Sequence, residues 1–487
     1  MSNTHRWGTP TSTMAGTRSP ARTRRVQIWA ASVAAVLVCV AGYVTADALD
    51  VVPGFLTFAP EPAPQSPFPP VLDPGPAAPA LGDLDPNAPV PSAAQVQAKV
   101  DALVADPAAG PNIGVVVVDQ LTGAVLGEHS VGQGRQPASI AKLLTAVAAL
   151  TVMSPETTLD TTAVLVGDQV VLVGAGDIML GDGAGDPDAV DGRAGLGDLA
   201  QQTATALRAS GVTTVSVGVD DSLFAGPQLA PGWEPDHLSL GYTAHITALA
   251  VHMAKTDPTQ MYSRRHADPS LHAAQTFATR LGEEGITVTG TPARTTVTTG
   301  AKPLGVVSSA PLVDVAEYFL RTSDNTVTEA VARLVAIAQG ASADFDGATT
   351  SVLAVVASLG VDTAGAHLAD ASGLAGGSAV PVSTFIGVVQ LVTSPEHPEL
   401  LGIVVGMPVS GLTGTLATRF TTSEARGMVR AKTGSLPGVR SLAGTVVTAD
   451  GRALDFVVMA DQVPPDKEAR VPVDSFVSTL AACGCGG

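Results

Sequence analysis

Lysine is scarce in this 487-residue chain, with six against twenty arginines. Cysteine is scarcer still: Cys39 falls inside an apolar run, and Cys483 and Cys485 sit in the last five residues. Three cysteines so placed exclude a disulfide scaffold. The C-x-C tail, with no histidine beside it, is expected to lie beyond the core and to have no role. The histidines form neither H-E-x-x-H nor another ligand spacing, so no catalytic metal and no cofactor is expected. Basic charge is also short. The formal net charge is −18, and residues 1–25 hold five arginines and no acid, so the remainder is more negative than that. Nothing basic is left to follow a phosphate backbone, which excludes nucleic acid as a partner. There are no tandem repeats.

What is present begins with a basic segment, residues 1–25. Residues 26–48 follow, apolar from Ile28 to Ala46 apart from Ser32, Gly42 and Thr45. That run is long enough to cross a bilayer as an anchor, with the arginines holding its start in the cytoplasm. It also ends on Val44-Thr45-Ala46, which fits a cleaved secretory signal. Both readings export everything after Asp47 to the cell envelope, with membrane contact through this segment alone. Residues 49–92 are rich in proline and alanine, a composition that stays extended and acts as a spacer.

Folded sequence is expected from about residue 93. Gln95–Val104 has helical spacing, Ile113–Asp119 reads as a buried strand, and Val125–Glu128 as its hairpin partner. Val164–Val173 reads as a hairpin, with Val212–Asp220 and Ile286–Thr289 as further strands. Thr326–Ala338, Thr349–Leu359, Pro381–Val392 and Val473–Ala482 have helical patterns. Met428–Thr433, Ser441–Thr448 and Ala453–Ala460 read as strands, the last two joined by a turn at Ala449–Arg452. Strands and helices mixed in this way predict an α/β (α+β) protein with an antiparallel sheet and packed helices. Residues 93–160 and 296–482 are expected to form one domain, interrupted by a mixed α/β insertion at 161–295, with 483–487 as a tail.

The chemistry is signalled by Ser139-Ile-Ala-Lys142 at the head of an apolar helix. Residues three apart share a helix face, so the hydroxyl and the amine lie within reach. A serine hydroxyl needs a proton acceptor to become a nucleophile, and a lysine serves only if its pKa is depressed. Ser323-Asp324-Asn325 and Lys432-Thr433-Gly434 follow downstream, so two of only six lysines fall in these motifs. S-x-x-K, S-x-N and K-T-G in that order form the signature shared by penicillin-binding proteins and serine β-lactamases.

Further segments extend the match: Gly174-Ala-Gly-Asp177, Asp220-Asp-Ser-Leu-Phe224 with Pro231-Gly-Trp233 and Tyr242, Asp370-Ala-Ser-Gly-Leu374, and Leu412-Thr-Gly-Thr-Leu416 with Arg419-Phe420. With these, the chain over residues 95–482 resembles the DacB-type D-alanyl-D-alanine carboxypeptidase/endopeptidase family (peptidase family S13, class C low-molecular-weight penicillin-binding proteins). One departure is Ala375-Gly376-Gly377, where the family has Ser-Arg and a following Asn in a segment lining the cleft.

The resemblance implies a serine enzyme acting on peptidoglycan stem peptides, with β-lactams as covalent inhibitors. It implies Ser139 as acylated nucleophile and Lys142 as its base. Ser323 would relay a proton to the leaving amine, and Asn325 would hold the substrate amide and Lys142. Lys432 would supply positive potential and lower the pKa of Lys142. Thr433, Gly434 and Ser435 form the substrate-binding strand, where the two hydroxyls take the terminal carboxylate and glycine permits close approach. The backbone N–H groups of Ser139 and Ser435 would form the oxyanion hole. Asp324 is expected as a helix cap, Asp370 and Ser372 as turn formers, and Trp233 and Tyr242 as packing aromatics. A serine β-lactamase would need a water-activating glutamate between S-x-N and K-T-G; Glu329, Glu396 and Glu399 stand there without a convincing match. A catalytically idle wall-binding relative is the other alternative.

Overall fold

The computed structural model describes residues 36–45, 86–297, 301 and 303–484. The chain divides into two units, Met1–Leu81 and Gly82–Gly487. In the first, residues 36–45 form an exposed helix. Among the described residues no helix is long and apolar enough to cross a membrane. The rest of the apolar run, the position after Ala46 and the spacer up to residue 85 lie outside the described residues, as does Cys485.

The second unit is a mixed α/β fold. Its first sheet is built from both ends of the unit: β1 (Asn112–Asp119) and β2 (Val125–His129) early, and β8 (Val429–Leu436), β9 (Val439–Val447) and β10 (Ala453–Asp461) late. The order is β8-β9-β10-β1-β2, antiparallel throughout, with Val115 opposite Val458. Both faces are covered, which is why β1 and β10 read as unbroken β-branched and apolar runs rather than alternating ones. Val115, Val117, Phe456 and Val458 pack under α1 (Ala93–Ala105) and α9 (Arg470–Ala481). Val116, Val118, Val457 and Met459 face the helical layer.

At the centre of that layer lies α2 (Lys142–Val152), buried at every position from Lys142 to Leu150. The expected helix patterns appear as α6 (Asn325–Ala338), α7 (Phe345–Ser358) and α8 (Val382–Thr393). Between α2 and α6 the chain builds a second sheet from β3 (Asp160–Val166), β4 (Gln169–Val173), β5 (Thr214–Asp220), β6 (Thr287–Arg294) and β7 (Pro303–Ser308). Its order is β6-β5-β4-β3-β7, with β4-β5 and β5-β6 parallel. The parallel pairs need crossovers, and α3 (Leu196–Ala209) and α4 (Pro269–Glu283) supply them. These two helices, and α5 (Leu312–Thr322), were not among the expected elements. Cys483 departs from expectation: it follows α9 and is buried.

The end of the spacer is tied into the first sheet. Arg452, in the turn between β9 and β10, meets both Asp119 carboxylate oxygens at 2.5 and 2.6 Å and donates to the carbonyls of Pro86 and Ala88. Both charged side chains are buried. Removing one partner leaves the other charge uncompensated, so Asp119→Ala should cost about 3–5 kcal/mol of folding stability. Urea unfolding of residues 82–487 checks this, and a loss below about 1 kcal/mol would contradict it.

Candidate active site

Three backbone devices bring the motif residues together. Ser139 sits in a 3₁₀ turn, Ala138–Ala141, which leads directly into α2. The turn is entered through Ala138 in the left-handed region (φ 50°). It rests on Gly373 (φ 78°), where a β-carbon would stand 1.9 Å from the Ala138 carbonyl oxygen, so only glycine fits. Ser323 is itself left-handed (φ 61°) and ends α5. Asp324 then caps α6 by accepting the Val327 N–H at 3.0 Å, as expected from its residue type. The S-x-N motif is thus the hinge between two helices, with Ser323 and Asn325 flanking the cap. Edge strand β8 carries Lys432 to Ser435. At Gly434 a β-carbon would lie 2.6 Å from the Pro137 carbonyl oxygen, so glycine lets the strand run against the nucleophile turn.

Lys142 is fully buried, and its Nζ has three neighbours: Ser139 Oγ at 3.0 Å, Asn325 Oδ1 at 2.6 Å and the Ser372 carbonyl oxygen at 2.8 Å. Burial pushes its pKa down to about 8, against the opposing pull of Asp370, Glu329 and Asp324. Lys432 Nζ reaches Ser323 Oγ and the Thr433 carbonyl oxygen, both at 2.9 Å. Burial, and then repulsion from Lys142, hold Lys432 well below the ordinary lysine range. Burial is the main cause at both amines, and their mutual repulsion acts in the same direction, as expected of a second lysine beside Lys142.

Strand parity sets the backbone donors. Ala431 donates its N–H away from β9, to the Pro408 carbonyl at 3.0 Å. Four residues on, the Ser435 N–H turns to the same open side of β8, facing the cleft. That cleft has a volume of about 1150 Å³, and Ser139, Ser323, Asn325, Thr433, Gly434 and Ser435 all line it. The buried amines of Lys142 and Lys432 lie just behind its wall. A nucleophile beside a depressed amine, a second serine–lysine pair and strand N–H donors are the parts that acyl transfer through a serine ester requires.

Other residues land differently from expectation. Tyr242 packs edge-on against Tyr262, with ring centroids 5.5 Å apart, yet it is exposed, lines the cleft, and its carbonyl accepts the Asn325 Nδ2 donor at 2.8 Å. Trp233 packs edge-on against Phe345 and donates from Nε1 to Asp370 at 2.7 Å. Asp370 forms the expected turn by accepting from the N–H groups of Gly373 and Ala375 and from the Ser372 hydroxyl. That turn aims the Ser372 carbonyl at Lys142, a contact no side-chain motif encodes. Thr415 was also missed; its hydroxyl is 2.7 Å from that of Thr433.

Glu329 is buried and accepts the N–H groups of Ser372 (2.7 Å) and Ala371 (3.3 Å). Burial and the neighbouring Asp370 raise its pKa to about 8. It braces the turn beneath Lys142 and is no cleft residue. Glu396 and Glu399 do not line the cleft either. At the point of departure Ala375, in place of the family's serine, is fully buried beside Gly232, while Gly376, in place of the arginine, is exposed with open space where a β-carbon would stand.

The model of the D-Ala-D-Ala carboxypeptidase 3 (S13) family matches residues 96–261 and 252–480. The chain is 36% identical over 475 residues to Carboxypeptidase DacB of Mycolicibacterium smegmatis, covering 96% of this chain and 99% of that protein. It is 27% identical over 450 residues to a D-alanyl-D-alanine carboxypeptidase of an Actinomadura species, covering 75% and 80% respectively. Among solved structures, penicillin binding protein 4 of Haemophilus influenzae has the same fold, with a TM-score of 0.64 at 20% identity, over 78% of this chain and 98% of that one.

Proposed function

Given that the chain belongs to the D-Ala-D-Ala carboxypeptidase 3 (S13) family, and so is a serine-type D-Ala-D-Ala carboxypeptidase acting on peptidoglycan, we propose that it works outside the cytoplasm through an acyl-enzyme at Ser139. The observation that carries this is the 3.0 Å approach of a buried, depressed lysine amine to a serine hydroxyl at the wall of an open cleft. The basic segment, the apolar run and the extended spacer support export, either anchored or released. The separate second sheet supports an inserted domain, with β7 at Pro303–Ser308 carrying it past the expected boundary at 295.

In the proposed reaction Ser139 Oγ gives its proton to neutral Lys142 and bonds to the carbonyl carbon of the D-Ala–D-Ala linkage. The Ser139 and Ser435 N–H groups hold the oxyanion. The C–N bond then breaks as the proton held by Lys142 passes through Ser323 to the departing D-alanine amine, while Thr433 and Ser435 hold its carboxylate in the positive potential of Lys432. Water attacks the remaining ester and gives its proton to Lys142; the C–O bond breaks and Ser139 regains its hydrogen. The same steps cut a cross-link when the leaving amine belongs to a second stem peptide, so endopeptidase activity is part of this reading. A β-lactam opens at its ring amide, keeps its leaving amine tethered and lingers as an ester; the Haemophilus protein has been solved complexed with a β-lactam.

The exported portion, incubated with a stem pentapeptide, should release D-alanine over many turnovers. With benzylpenicillin it should gain one penicilloyl mass. Drug consumed without an adduct would point instead to a β-lactamase, and intact drug without an adduct to an idle protein.

A further inference from the structure

Asn325 has one acceptor end and one donor end, and the site depends on which end faces Lys142. Oδ1 meets Lys142 Nζ, while Nδ2 is claimed by the Tyr242 carbonyl, a pure acceptor. The Tyr242 carbonyl therefore selects the orientation of the amide. The segment bearing it is pinned one residue earlier: the Gly241 carbonyl accepts from Arg265 Nη2 at 2.9 Å. The other arm of the same guanidinium, Nη1, donates to the Met253 carbonyl at 2.7 Å.

Met253 is an unusual anchor. His252, Met253 and Ala254 have φ of 46°, 55° and 59°, three successive non-glycine residues in a region normally visited singly. The turn is held from outside. Its N–H groups at 252 and 253 donate to the Leu180 and Ile178 carbonyls, and the His252 ring contacts Asp191 at 2.9 Å. Arg265 ties the cleft wall to this fixed point. A second tie, from the Ala244 N–H to Thr326 Oγ1 at 3.2 Å, keeps the wall attached to α6 independently.

We propose that Arg265 is a positioning residue for acylation: its two-armed clamp on Gly241 and Met253 fixes the Tyr242 carbonyl, which turns the Asn325 amide so that its oxygen faces Lys142. The proposal rests on the reading of Ser139 and Lys142 as nucleophile and base. Only the planar fork of arginine reaches both carbonyls at once, so Arg265→Lys keeps the charge but loses the clamp.

The test is a double-mutant cycle on the acylation rate by benzylpenicillin, followed by intact mass, for wild type, Arg265→Ala, Asn325→Ala and the double variant, with thermal unfolding measured on each. Arg265→Ala should slow acylation by roughly 10- to 100-fold, the scale of a displaced catalytic group. The loss should shrink to less than about twofold in the Asn325→Ala background, because the residue acts through that side chain. Arg265→Lys should show most of the same loss. An undiminished loss in the Asn325→Ala background, or no loss at all, overturns the proposal. If Arg265→Ala does not fold, Arg265→Lys runs the same cycle against the same outcomes. Failure of the underlying reading would be distinct, since wild type would then form no adduct at Ser139.

Discussion

Ser139→Ala is expected to form no penicilloyl adduct and to release D-alanine at least on the order of 10⁴-fold more slowly than wild type, the scale seen when a serine nucleophile is removed from an acyl-transfer site. The whole of the proposed covalent route runs through one oxygen, and the neighbouring hydroxyls are committed elsewhere. Ser323 Oγ is held by Lys432 at 2.9 Å, and the Thr433 hydroxyl is paired with Thr415. Ser435 faces the cleft from the strand but has no buried amine beside it among the described hydrogen bonds. The substitution removes one half-buried hydroxyl and leaves the turn backbone in place, so the midpoint of thermal unfolding should hardly move. Peptide binding should persist, since the carboxylate-binding strand is untouched. Mass spectrometry with benzylpenicillin and a D-alanine release assay on the same preparation check all three points. A penicilloyl adduct on the variant would place the nucleophile elsewhere and sink the assignment.

Much of this site was legible because its side-chain chemistry is written as residue types at fixed spacings. Ser139 with Lys142, Ser323 with Asn325 and Lys432 with Thr433 all stand at one cleft or in its wall. What escaped reading was mostly backbone. The carbonyls of Ser372 and Tyr242, which hold Lys142 and Asn325, have no residue identity to search for. The left-handed turn at His252–Ala254 contains no glycine to announce it. Ala375 could be seen as a departure but not as a buried plug against Gly232. In the fold, the antiparallel sheet was readable because strands covered on both faces are strongly apolar. Helix α5 is another matter: Leu312, Val315, Ala316, Phe319 and Leu320 are buried at plain helical spacing, so its signal was present and was passed over.

A second lysine beside Lys142 argues from residue types that like charges lower both pKa values; the fold adds burial as the larger cause at each amine, which residue types alone do not announce. Two close buried amines lose their protons as a coupled pair, so a pH profile reports the pair. Only a variant can separate them.

Lys142→Ala should lower the acylation rate by about 10²–10⁴-fold, the range general-base catalysis supplies. The three neighbours of Nζ give the reason. A neutral amine has two N–H donors and one lone pair; the Asn325 and Ser372 oxygens take the donors, which leaves the lone pair for the Ser139 hydroxyl. A protonated amine would donate to all three and accept from none. Acylation by wild type should therefore rise with pH, about tenfold per unit below a midpoint near pH 8, and level off above it. The sign follows from the base: its active form is the deprotonated one, so activity is lost as pH falls through the folded-state pKa. In Lys142→Ala the residual rate should lose that limb. Lys432→Ala should move it to higher pH, because removing a neighbouring cation relieves pressure on the Lys142 proton. Stopped-flow acylation between pH 6 and pH 10 on the three proteins separates the cases. A limb that survives unchanged in Lys142→Ala would mean that another group takes the Ser139 proton, and the Asn325 and Ser372 contacts would then serve only to bury a charge.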